Sequence, residues 1–295
     1  MLSSNIRRQA AARMLLGSIL LTNACRLQAA DISSSGKHCL WRITNAPAPF
    51  YLLGSVHALQ PSDYRRTPVI EEAIGQAQQF LFEFDPKEDE TFGKKLREAA
   101  RYPRGQQILG KIGPKTYKYL QKITISGMND WQHLHPWAIA MILRNPGFGS
   151  VSTRYGIDNY VAQKARYYSN PTAGLETVDE HIHVFSDMHE IDGEVFLLQC
   201  LVHCDDDPKQ FQDEVAAWKS GDTERIYALQ LPRIKEAPTV WWRLLDRRNA
   251  KWIPKIQAAI RSGKPTMVVA GAMHFCGPHS VVAMLRARGY KIEQL

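Results

Sequence analysis

No aspartate or glutamate occurs among the first thirty residues, and the first acid is Asp31. Arg7, Arg8 and Arg13 instead lead into an apolar run from Met14 to Leu21. A positive, acid-free lead before a short apolar stretch is the pattern of a secretory signal peptide. The run is too short to span a bilayer, which takes about 20 mostly apolar residues. The small residues Ala29 and Ala30 offer a cleavage point. Residues 1–30 therefore read as a signal peptide and 31–295 as the mature domain, exported to the periplasm or secreted, with no transmembrane segment. The competing reading is lipid attachment at Cys25, but Thr22-Asn23-Ala24 before it matches a leucine-containing lipobox poorly.

Other absences narrow the function. Losing residues 1–30 removes four arginines and no acid, so the net charge falls from +8 to +4. No stripe of lysine and arginine interleaved with aromatics occurs, which excludes nucleic acid as the partner. No Gly/Ser/Pro-rich linker divides the mature chain, so it reads as one domain with a sizeable core. Cysteine is scarce. Cys39, Cys200, Cys204 and Cys276 remain after residue 30, and an oxidising compartment permits up to two disulfides among three connectivities. The Cys200-x-x-His203-Cys204 cluster lacks a second pair of ligands and reads as a buried thiol-lined helix face rather than a zinc site.

Residues 49–54 (PFYLLG) and 265–271 (PTMVVAG) are short apolar runs opened by proline and closed by glycine, the look of strands buried on both faces. A third strand is expected from Gln79 to Asp85, ended by Pro86, with Glu83 and Asp85 on the face opposite Phe80, Phe82 and Phe84. Helices are expected near 67–79, 113–122, 136–144, 158–168, 189–203, 208–220, 222–230 and 240–262. Pro208 and Gly221 punctuate the sixth of these, and Pro254 is expected to bend the last. After His274 come a Gly277-Pro278 turn, a short helix and a final strand. Strands at both termini around a helical middle predict an α/β fold, a single domain whose first and last segments meet in one central mixed sheet.

Two stretches repeat the same design, PFYLLGSVHAL at 49–59 and PTMVVAGAMHFC at 265–276, with histidines His57 and His274 placed 217 positions apart. In each, a strand runs into a glycine that lets the backbone turn, and histidine arrives three residues later. Strand ends are where α/β sheets bind ligands. Imidazole is the commonest metal ligand, and zinc-like catalytic ions take three histidine or carboxylate ligands and keep one position open. His57, His274 and Glu83 supply that set. A carboxylate on a phenylalanine-rich strand is costly to bury unpaired, a cost that a metal or an arginine removes. Arg248 stands in a stripe with Trp241, Leu245 and Trp252, spaced four, three and four residues apart. A guanidinium there should face inward, where it pairs a buried carboxylate or clamps an oxyanion; the alternative is a side chain that snorkels past the tryptophans to solvent.

In order and spacing, LLGSVHAL, FLFEFD, GID at 156–158, LET at 175–177, RN at 248–249 and AGAMHFCG at 270–277 resemble the TraB/GumN family, which is similar to the Tiki proteases and more remotely to erythromycin-esterase-like folds. The resemblance implies metal-assisted hydrolysis with a divalent ion (zinc, manganese or cobalt) and marks His57, Glu83, Glu176, Arg248 and His274 as site residues, with Glu83 or Glu176 as base. Family members often carry glutamine where this chain has His181, and small or apolar residues where it has His279. His181 and His183 read as solvated surface residues, and His279 as the start of the last helix.

Two functions follow. One is a metal-dependent, peptidase-like hydrolase acting on a peptide or small molecule. The other is a non-catalytic protein of the envelope that binds or sequesters such a ligand. Export is testable at once: amino-terminal sequencing of the processed protein should begin close to Asp31, whereas a lipidated start at Cys25 or retention of Met1 overturns the signal-peptide reading.

Overall fold

The computed structural model describes residues 36–63, 67–123, 131–144, 151–203 and 207–295. The expected signal peptide and its expected cleavage point, Cys25 and Cys204 lie outside the described residues. Six strands, β1 (Leu40–Ile43), β2 (Phe50–Ser55), β3 (Gln79–Phe82), β4 (Thr172–Gly174), β5 (Thr266–Gly271) and β6 (Ile292–Gln294), form one sheet in the order β4-β3-β5-β2-β1-β6. β5 runs parallel to both β2 and β3, β4 parallel to β3, and β1 antiparallel to β2 and β6. The first and last segments of the chain thus meet at the centre of one mixed sheet in a single α/β domain.

Burial follows from composition. All six residues of β2 are buried, and Leu52, Leu53, Met267 and Val268 have no exposure, as expected of parallel strands covered on both faces. The register aligns the strand ends: Leu53, Val269 and Phe82 share one row across β2, β5 and β3. One residue further on stand Gly54, Ala270 and Glu83. β3 stops at Phe82 instead of running on to Asp85, so the expected alternation ends there. Asp85 caps a short 3-10 turn, accepting from the Lys87 amide, and also takes the Thr172 hydroxyl.

Helices fill the middle of the chain. Pro68–Gln76 links β2 to β3, and the long β3–β4 and β4–β5 excursions carry the rest. A second apolar core, with Trp137, Phe196, Leu197 and Trp241 at its heart, packs Pro136–Arg144, Glu190–Val202 and Pro238–Trp241 together. Two helices have no counterpart in the sequence reading: Asp89–Ala99, which buries no residue, and Val178–Ser186. The expected helix 240–262 is interrupted by a π-helical turn, Trp242–Asp246, before Arg247–Arg261. Its irregularity lies there, one turn ahead of the site, while Pro254 is accommodated inside the helix. Among the described residues no helix is long and apolar enough to cross a membrane.

One glycine fixes how the middle meets the sheet. The Ile157 amide donates to the Val56 carbonyl at 3.0 Å, and a Cβ on Gly156 would lie 2.3 Å from the His57 carbonyl oxygen. The backbone of the 156–158 turn therefore rests directly on the loop that carries His57. Gly156 has φ −63° and ψ 143°, open to any residue, so the penalty for a side chain is purely steric. Gly156→Ala should lower stability in urea or thermal unfolding by about 1–3 kcal/mol, the usual cost of overpacking. Gly75→Ala, in a helix with nothing within 4 Å of the new methyl, should be neutral or stabilising. Equal effects at the two positions would refute this account.

Candidate active site

His57 and His274 leave adjacent parallel strands, and both present Nε2 to one oxygen: Glu83 Oε1 is 3.9 Å from each. Glu83 comes from β3, on the far side of β5, and its Oε1 also accepts the Gly271 amide at 2.8 Å. Gly271 is what leaves room for this meeting. A Cβ there would stand 3.2 Å from His57 Nε2, 3.5 Å from Glu83 Oε1 and 3.8 Å from the His274 ring. The glycine of the second motif therefore keeps open the point on which the three groups converge.

The outer nitrogens have polar neighbours as well. His274 Nδ1 lies 2.6 Å from Asn249 Oδ1, and His57 Nδ1 lies 3.4 Å from Asp158 Oδ1. Burial, opposed by Glu83, drives the His274 pKa down to about 3 and keeps the ring neutral. His57 behaves differently. Desolvation pulls its pKa down, but the Asp158 and Glu83 carboxylates outweigh that and raise it to about 9; its side chain is 61% exposed, so solvent screens those charges.

Arg248 lies at the centre. Nη2 donates to Glu83 Oε2 at 2.5 Å and to Glu176 Oε1 at 2.6 Å, Nε donates to Glu176 at 3.2 Å, and Nη1 donates to the Leu244 carbonyl and to His274 Nε2, both at 3.2 Å. The Trp252 indole adds a third donor to Glu176, at 3.1 Å, and its ring lies beneath the guanidinium. Helix Arg247–Arg261 thus aims Arg248, Asn249 and Trp252 into the site from a single turn. Burial would raise both carboxyl pKa values. Arg248 first, with the neighbouring histidines, holds Glu83 well below the usual carboxylate range, and the hydrogen bond that Glu176 accepts from His181, together with Arg248, lowers Glu176.

His181 was expected on a solvated surface and is not there. Its side chain is only 14% exposed, and Nδ1–H donates to Glu176 Oε1 at 2.6 Å, so its 3.2 Å approach to Arg248 Nη2 is proximity rather than a bond. The missed signal was a capping box. Thr177 accepts from the Glu180 amide and Glu180 from the Thr177 amide, which caps helix Val178–Ser186 at the residue after Glu176 and brings His181, one turn in, back over the carboxylate. Phe84 and Phe92 stack at 4.6 Å between centroids and meet the His181 ring edge-on. His183 is exposed as expected. His279 is exposed, just ahead of the Ser280 cap of helix Val281–Arg286, and its carbonyl accepts Asn249 Nδ2. Asn249 and Asp158 lay within quoted motifs, yet their roles depend on tertiary contacts that spacing does not reveal.

Cys39, Cys200 and Cys276 are buried, and no two of these three are joined in a disulfide. His203 turns to Glu236, with Nε2 3.0 Å from Oε2.

The cluster opens on a cavity of about 1140 Å³, lined by His57, Glu83, His181, Arg248, Gly271 and His274 and walled by apolar groups that include Phe84, Phe92, Phe185, Phe211 and Trp218. Trp218 Nε1 donates to the Gly54 carbonyl at 2.8 Å, which ties helix Asp207–Lys219 to the first motif. Among the described residues, ligand atoms of Glu83, Glu176 and His181 all lie within 4.8 Å of one another. This group could hold a metal ion. It is not the set His57, Glu83 and His274 expected from the sequence, and Arg248 Nη2 already stands among its members.

Paired histidines on neighbouring strand ends, a bridging glutamate and a buried arginine, on a mixed α/β sheet, place this protein among domains with a polar site at the strand carboxyl ends. The chain belongs to the TraB/PrgY/gumN family, whose model matches residues 39–294. No curated protein and no solved structure matches the chain.

Arg248 yields a prediction independent of function. Removing one partner of a buried ion pair strands the other, at about 3–5 kcal/mol. Arg248→Ala should lower stability by that order in chemical unfolding. Arg248→Lys should do nearly as much damage, because an ammonium cannot span Glu83, Glu176 and His274 in one plane. Parent-like unfolding of Arg248→Ala would show that the carboxylates do not depend on it.

Proposed function

We propose that this protein is an exported, metal-dependent hydrolase acting on peptides, with the ion held by His57, His274 and Glu83. The observation that carries the reading is the convergence of both Gly-x-x-His imidazoles on Glu83 Oε1 beside Gly271. Ligands at about 2.1 Å from a tetrahedral ion stand roughly 3.4 Å apart, and each imidazole Nε2, 3.9 Å from Glu83 Oε1, is close to that spacing from the carboxylate. The side chain of His57 is open to the cavity, as a catalytic ion that keeps a water position requires. When bound, a divalent ion supplies a water of lowered pKa and polarises a carbonyl oxygen.

The chain's own residues divide the remaining work. Glu176 is saturated by Arg248, Trp252 and His181 and is 7% exposed, which suits a counter-ion for Arg248 and not a base. Two carboxylates against one guanidinium leave one negative charge over, and Glu83, the less saturated of the two, carries it towards the histidines. A dication in the Glu83/Glu176/His181 group would have to displace Arg248 Nη2 from both carboxylates, whereas one on the histidine pair would displace only Nη1 from His274 Nε2, which favours the histidine pair. The cavity exceeds the 300–1,000 Å³ usual for small-ligand pockets, and its aromatic walls suit a peptide with bulky apolar side chains. The acid-free amino terminus supports export.

One observation favours the second reading, a non-catalytic binding protein: the Arg248 network satisfies Glu83 Oε2, Glu176 and His274 Nε2 with protein groups alone. Calorimetric titration with Zn²⁺, Mn²⁺ or Co²⁺ separates the two. Near-stoichiometric binding to the parent should weaken sharply in His57→Ala and in Gly271→Ala, whose methyl would occupy the convergence point, and persist in His181→Ala. Loss in His181→Ala alone would move the ion to the Glu83/Glu176/His181 group. No binding to the parent favours the binding protein.

A further inference from the structure

Asn249 is 1% exposed, and the sequence marks it only as the neighbour of Arg248. We propose that Asn249 is a positioning residue: it fixes the tautomer of His274, so that Nδ1 carries the proton and Nε2 presents a lone pair to the site.

The argument follows hydrogen-bond polarity from an atom whose role cannot change. The His279 backbone carbonyl only accepts, so the Asn249 side-chain atom 3.0 Å from it must be Nδ2, the donor. This settles the amide orientation, which distances alone leave ambiguous. Oδ1 then faces His274 Nδ1 at 2.6 Å. An amide oxygen also only accepts, so Nδ1 must donate. A neutral imidazole with its proton on Nδ1 has a bare Nε2. The other side of the ring agrees: Arg248 Nη1, which can only donate, stands 3.2 Å from Nε2. Two independent neighbours on opposite edges of the ring thus demand the same tautomer, and the Trp252 ring, 4.4 Å away between centroids, limits reorientation.

The backbone makes this arrangement firm. Asn249 sits on helix Arg247–Arg261, and its anchor, the His279 carbonyl, lies just before helix Val281–Arg286. The carbonyl, the amide and the imidazole form a chain of three groups that starts from main chain, so the proton on Nδ1 is dictated by fold geometry rather than by solvent. A group orienting a histidine through its remote nitrogen is how ligand basicity and ring direction are set at metal sites. The inference rests on the proposed ion only for its consequence, because the tautomer itself can be read without any metal.

The test is a long-range ¹H–¹⁵N spectrum of the full chain with labelled histidine, the His274 signals being assigned by their loss in His274→Gln. In the parent, His274 should show a protonated Nδ1 and an unprotonated Nε2. A protonated Nε2 overturns the proposal outright. Asn249→Leu removes one of the two constraints on the ring and leaves only Arg248 Nη1 opposite Nε2, so a population with the proton on Nε2 should appear beside the parent tautomer, and affinity for Zn²⁺ should fall by the 10–100-fold typical of losing such a partner. Asn249→Asp keeps an acceptor opposite Nδ1 and should retain the parent tautomer even though it loses the bond to His279. An unchanged spectrum in Asn249→Leu would also overturn the proposal. If Asn249→Leu does not fold, the parent and Asn249→Asp spectra still decide. A protonated Nδ1 in a parent that binds no ion would leave Asn249 in its role and remove the hydrolase reading.

Discussion

The guanidinium of Arg248 is the tie on which the site depends. It joins Glu83 at the end of β3, Glu176 after β4, and His274 after β5, three places that sequence separates widely. A buried charge without partners is costly, and so is each carboxylate without it. Every member of the group therefore needs the others, which makes the arrangement all-or-none. The fold supplies the rigidity: β3 and β5 are neighbours in the sheet, and the helix that carries Arg248 also fills the core with Trp252, Ile253 and Ile256.

Glu83 extends that tie to the histidines, because its two oxygens face different ways. Oε2 takes Arg248, while Oε1 takes the Gly271 amide and looks towards His57 and His274. One carboxylate thus couples the arginine network to the histidine pair. Any movement of Arg248 must be felt at Oε1, and substitutions at Arg248, Glu83 and His274 should couple rather than add, as residues of one network do. Mutual dependence of this kind explains why Gly-x-x-His alone says so little about chemistry.

The features legible in the sequence were those carried by local pattern. The two motif strands announced themselves as apolar runs between proline and glycine, and their burial in a parallel sheet follows from that composition. Arg248 was legible because a charge recurring at helical spacing among tryptophans and leucine has to face inward, and the π turn at Trp242–Asp246 leaves Arg248 and Asn249 buried between exposed Arg247 and Ala250. Helix Asp89–Ala99 escaped because none of its residues is fully buried and its apolar face is thin, with only Phe92, Leu96 and Ala99 among charged residues. Strands β1 and β4, with four and three residues, are too short to carry a period.

His181 shows the other limit. A histidine five residues after Glu176 suggests nothing by spacing, since the chain between them could be extended or helical. The capping box at Thr177 and Glu180 decides in favour of helix, and then the ring returns over the carboxylate and closes its last open side. That packing matters for Glu176: with Arg248, Trp252 and His181 all donating, the carboxylate has no free lone pair facing the cavity, and its affinity for protons falls accordingly. The two glutamates that look equivalent in the sequence are therefore unequal in the fold. Glu176 is consumed in holding the arginine, and Glu83 alone turns an oxygen towards the point where the imidazoles meet.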